Sequence, residues 1–217
     1  MISHFKQALK NHSGPIDPNI NWSNELPQSA RRLRCMSGEE DVTIRNFRIT
    51  RKLLHGEYKL GEIFSGLEYS PPIRELFGHQ EIDKLRSLDV EITDDVKYMR
   101  VSDPQGRLLI SPRYIRRGRK EFIYLDLIHE LTHVRQYLQG YELYDTEHRY
   151  IDRPTELEAF AKAIAEARRI GLSELEIYEY LKVDWISDSE HKELAERLGI
   201  ASPARVGRCR KIEKGLA

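Results

Sequence analysis

The sequence predicts an α+β fold: a small, mostly antiparallel sheet packed on one long apolar helix, with a helical C-terminal part. Three observations predict it. Short β-favouring runs at residues 96–101 and 107–110 flank Ser102-Asp103-Pro104-Gln105-Gly106, whose Pro and Gly supply turn dihedrals for a hairpin. An apolar helix follows from about Glu121 to Gln139, with Gly140 as its natural stop. From Pro154 onward, helix start and stop signals dominate the chain.

In chain order, residues 1–40 read as an irregular arm or cap, because Pro15, Pro18, Pro27 and many Asn and Ser fall within them. Residues 41–200 form the main domain, and 201–217 a basic tail. Val42, Ile44, Phe47 and Ile49 suggest a strand over 42–50, and Pro71 to Leu88 a helix entered through Pro-Pro. Asp152 is placed to cap a helix from about Arg153 to Ile170, closed by Gly171. Ser173 with Glu176, and Ser187 with Glu190, are capping boxes for two more helices, the second ending at Gly199.

With 35 Lys plus Arg against 35 Asp plus Glu in 217 residues, the net charge is zero, which argues against a broadly basic nucleic-acid binder. Cys35 and Cys209 are too few and too far apart for a disulfide framework or a metal pair. Residues Met1 to Gly14 lack the apolar core of a signal peptide, and no stretch approaches the ~18 apolar residues of a membrane span. A cytoplasmic location without membrane association is expected.

The chemistry is carried by His129-Glu130-Leu131-Thr132-His133, an H-E-x-x-H sequence inside the apolar helix. Four residues apart, the two imidazoles sit about 40° apart in angle and roughly 6 Å apart along the axis, so both can meet on one ion. Neutral imidazole suits Zn²⁺, although Fe²⁺, Co²⁺ or Ni²⁺ can take the same ligands. Glu130, about 100° round from His129, lies beside the ion as the candidate general base. Leu127, Leu131, Val134 and Leu138 form an apolar stripe on the opposite face, which lets the helix pack on a core while presenting its ligands to a cleft.

A catalytic zinc usually has a third protein ligand. The metzincin continuation is absent, since Gln136 and Gln139 stand where its Gly and His would fall. Glu156 and Glu158 both lie at the start of the later helix, about 200° apart, so only one can face the ion. Glu156 is favoured because Ala159 and Ala163 follow on nearly the same face and let the helices approach closely; Glu158 is the alternative. Asp145, Glu147, His148 and Asp152, in the connecting loop, are weaker candidates.

An H-E-x-x-H helix followed by a helix that opens with Glu156-x-x-Ala159 resembles the gluzincin branch of zinc metallopeptidases, including its minimal members and the ImmA/IrrE-like proteins, over roughly residues 96–170. The resemblance implies a zincin-like fold with His129, His133 and Glu156 as ligands and Glu130 as base. It also implies an antiparallel edge strand that pairs with an extended substrate, for which Arg107, Leu108, Leu109, Ile110 and Ser111 are the best match. Several gluzincins carry Asp four residues after the ligand Glu; Phe160 stands there instead.

The expected activity is zinc-dependent hydrolysis of peptide or protein substrates. Tyr144, His148 and Tyr150, with Tyr141 nearby, are candidates for stabilising the transition state. The rival expectation is a non-catalytic or regulatory protein of the same fold acting by protein or nucleic-acid binding. It is motivated by the basic runs Arg113 to Lys120 and Arg205 to Lys211.

Overall fold

Ile44 and Phe47 stand three residues apart, the interval of a helical turn. In the computed structural model, which describes residues 42–102 and 106–202, they anchor helix α1, Val42–Asn46, and the residue that follows it. The strand expected over 42–50 is thus corrected: only Arg48–Ile49 extends, as β1. Ile44 and Phe47 are buried while Val42 is exposed, a pattern that a two-residue alternation cannot produce. The arm over 1–40, both cysteines and the basic run from Arg205 lie outside the described residues.

Next come β2 (Gly56–Lys59), α2 (Leu60–Ile63) and β3 (Phe64–Ser65), which pairs antiparallel with β1. The helix expected from Pro71 to Leu88 is split into α3 (Pro71–Phe77) and α4 (Ile82–Arg86). Gly78, at φ +73°, ends α3, and a 3-10 turn over residues 79–81 leads into α4. Strands β4 (Asp89–Ile92), β5 (Met99–Val101) and β6 (Leu108–Ile110) follow, and then α5 (Pro112–Arg117).

The larger sheet has the order β2-β4-β6-β5. β5 and β6 form the expected antiparallel hairpin, but β6 also pairs parallel with β4. The chain leaves β4, lays down β5 as the outer strand, and turns back so that β6 fills the gap. Flanked on both sides, β6 buries all three of its residues, as interior strands do. The fold is therefore α+β with small mixed sheets. Arg107 to Ser111 is not the edge strand, because β6 has a neighbour on each side; the edge is β5.

Helix α6, Lys120–Gln139, forms the spine, and Gly140 ends it at φ +89° with its N–H on the Gln136 and Tyr137 carbonyls. Leu127, Leu131, Val134 and Leu138 are all buried, as the stripe predicts. The hairpin is fastened to this helix at Gly106, where a Cβ would fall 2.6 Å from the Tyr137 ring.

Helix α7, Pro154–Arg169, packs along α6 with Ala159, Ala163 and Ala167 fully buried. Its N-cap is Arg153, not Asp152. The Asp152 carboxylate instead pairs with Arg149 at 2.6 Å and Arg197 at 2.7 Å, which turns it away from the helix start. Both capping boxes form, opening α8 (Glu174–Tyr180) and α9 (Asp188–Arg197). Among the described residues no helix is long and apolar enough to cross a membrane.

Candidate metal centre

His129 and His133 project from successive turns of α6, and their Nε2 atoms lie 3.0 Å apart. From the first turn of α7, Glu156 brings Oε2 to 3.3 Å from one and 3.5 Å from the other. The three residues are buried, and together they form a group that can hold a metal ion. Glu158, about 200° round α7, faces elsewhere and is not a member of the group.

Two details of the donor set suit a cation. Among the described residues the Glu156 Oε2 atom is buried with no hydrogen bond and only the two imidazoles within ion-pair distance, so the carboxylate depends on positive charge before it. The Nδ1 atom of His133 meets the Gln136 amide oxygen at 2.7 Å. That amide cannot be reversed, because its nitrogen donates to the Thr155 carbonyl at 3.1 Å and to Glu158 at 2.7 Å, both acceptors. His133 therefore carries a proton on Nδ1 and turns Nε2 toward the centre, the tautomer a ligand needs. Glu158 serves the site through Gln136.

His129 is oriented differently. Among the described residues its buried Nδ1 has no hydrogen-bond partner, and the Phe160 ring packs 4.4 Å from the imidazole centre.

Electrostatics follow from burial and proximity. Burial alone would raise the Glu156 carboxyl, but His133 and His129 hold it well below its usual value. Burial likewise opposes protonation of His133, yet Glu156 carries it up to about 9 in the ion-free chain. In His129 burial prevails over Glu156 and lowers the pKa. Burial pushes the Glu130 carboxyl up to about 8, against the pull of His133.

Glu130 lies beside this group, and its Oε2 accepts the Val101 N–H at 2.8 Å. Tyr98 accepts from Ser111 and Ser102 donates to Arg107, the residues flanking β6, so Met99 and Val101 turn their main-chain groups outward from the edge that β5 forms among the described residues. The Val101 carbonyl accepts the Tyr144 hydroxyl. Tyr150 lines the cleft, and burial with Glu156 beside it keeps its phenol protonated, able to donate. His148 is exposed, paired with Asp145 at 2.5 Å, and does not line the cleft.

Two cavities meet at His129 and Glu130. One, of about 350 Å³, runs along β5; the other, of about 260 Å³, lies toward α8 and contains Asp126, whose carboxyl burial raises to about 6. Gln136, Val101, Asp126 and Trp185 also belong to the site and are not among the residues the sequence singles out. Gln136 and Asp126 carry a local signal, each one turn from a site residue on the same helix face, the first after His133 and the second before Glu130.

The chain matches no protein-family model, no curated protein and no solved structure.

Proposed function

We propose that this chain is a zinc-dependent peptidase of gluzincin type. The observation that carries the reading is the convergence of two imidazole Nε2 atoms and a buried carboxylate oxygen beside a buried glutamate held by the strand at the sheet edge. When bound, zinc supplies Lewis acidity, polarising a peptide carbonyl and acidifying a water.

The chain's own residues do the rest. Glu130, made more basic by burial, takes a proton from the attacking water and returns it to the leaving amine. The Val101 N–H fixes which way that carboxylate points. Met99 offers outward main-chain groups to an extended substrate, in the manner of strand addition. The Tyr150 hydroxyl, kept protonated, donates to the oxyanion that forms as the carbonyl is attacked. Glu130→Gln is the test: the variant should keep one equivalent of zinc by elemental analysis and lose hydrolysis of an unfolded protein substrate. Undiminished hydrolysis would rule Glu130 out as the base.

A second reading, binding of a polyanion such as nucleic acid, draws on α5. Arg113, Arg116 and Arg117 line a surface cavity of about 420 Å³ beside the exposed Leu54, and among the described residues none of the three has an ion-pair partner. Salt-dependent binding without peptidase activity favours it.

A further inference from the structure

The two cavities that meet at Glu130 differ in chemistry. The one along β5 takes in Arg100 and Arg153. The other sets Tyr98, Tyr114, Phe122, Tyr180 and Trp185 around the carboxylate of Asp126.

Asp126 stands four residues before Glu130 on α6, on the same face and roughly 6 Å along the axis. Its neighbours Leu125, Leu127 and Ile128 are fully buried, so an acid here needs donors. The Tyr114 and Tyr180 hydroxyls supply two. A carboxylate accepts about four hydrogen bonds, so capacity remains, and Asp126 keeps partial exposure toward the cavity. Among the described residues no cation is paired with it. Lys182 at the mouth pairs with Asp188 at 3.2 Å, Lys97 pairs with Asp184, and Glu179 adds a further negative charge to the lining. Trp185, 59% exposed, stands edge-on to Tyr150 at 5.6 Å and leaves a large apolar ring in water at the opening.

Resting on the peptidase reading, we propose that this cavity is a side-chain subsite for a lysine or arginine next to the scissile bond. The alkyl stem lies along the tyrosine and tryptophan rings, whose faces attract cations, and the charged head bonds to Asp126. A wholly apolar side chain would leave that carboxylate's open acceptor positions dry and unmatched.

Two measurements test this on the zinc-loaded full chain. In quenched fluorescent peptides differing in one residue beside the scissile bond, lysine or arginine should exceed norleucine in kcat/KM by about tenfold, the worth of one charge-assisted hydrogen bond. Asp126→Asn, whose amide keeps one acceptor oxygen and offers an N–H to the other tyrosine's hydroxyl oxygen, should bring that ratio near one. Independently, n-butylguanidinium should quench tryptophan fluorescence on binding, and bind about tenfold more weakly to Asp126→Asn. Trp185→Ala, at an exposed position, should also weaken the probe, read by calorimetry because the variant lacks the reporting ring, and carries the test if Asp126→Asn does not fold. Probe binding that depends on Asp126, with no peptide cut, keeps the cationic site and removes the peptidase reading. Hydrolysis with equal ratios in both proteins, and no probe binding, overturns the subsite and leaves the peptidase reading standing.

Discussion

Gln136 holds His133: its amide oxygen lies 2.7 Å from Nδ1, and its amide nitrogen is anchored on Glu158 at 2.7 Å. The second carboxylate of α7 thereby reaches the centre through an intermediary, without approaching it. Gln136→Ala should weaken zinc binding by about 10–100-fold, the usual cost of losing such an orienting partner. Glu158→Gln should cost less, since the Thr155 carbonyl still fixes the amide. Competition against a chromophoric chelator measures both, and equal affinity in wild type and Gln136→Ala would show that His133 needs no support.

Removing a ligand has a sharper consequence. His133→Ala and Glu156→Ala should each lose stoichiometric zinc in elemental analysis, because three protein donors are the usual minimum for a catalytic site. Glu158→Ala should retain it. If neither ligand substitution lowers bound metal, the centre lies elsewhere.

Protons compete with the ion for the same place. His133 has a pKa carried up from 6.5 to about 9, so at neutral pH a bound ion must displace a proton from it. Zinc affinity should rise by about tenfold per pH unit between pH 6 and 8, with proton release visible in calorimetry run in buffers of different ionisation heat. Stability of the ion-free chain runs the other way. A raised pKa contributes stability that is fully present below 6.5 and lost as pH rises through 9, so the melting temperature in chelator should fall over that interval.

The α6–α7 contact depends on small side chains. Ala163 is fully buried where the helices meet, and Ala163→Leu should cost about 1–3 kcal/mol by overpacking. It should also push Glu156 away from the histidines. Thermal melts and zinc affinity should therefore fall together; a change in the melt alone would show that the ligand position tolerates the strain.

What the sequence disclosed followed the range of the interactions involved. His129, Glu130 and His133 share one helix, so their geometry follows from helical pitch. Ala159 and Ala163 marked the approaching face of α7 and with it Glu156, again by local periodicity. The order of the strands did not follow, because β6 pairs with β4 across the intervening β5, a choice that no local pattern encodes. The start of the described chain misled because four apolar residues in nine fit a poor alternation and a helical turn equally well. Trp185 reaches the cavity from a connection far along the chain, and nothing in its neighbours on the sequence announces it.

The bond from Val101 to Glu130 is donated by a peptide nitrogen, and that sets what substitution can reach. Replacing the valine side chain alters packing but leaves the N–H in place; proline alone removes the donor. The aim of Glu130 is thus written into the register of the β5–β6 hairpin rather than into the identity of residue 101. Drift at that position keeps the bond wherever the buried side chain still packs, while a one-residue insertion in the hairpin would turn the N–H toward β6 and release the carboxylate.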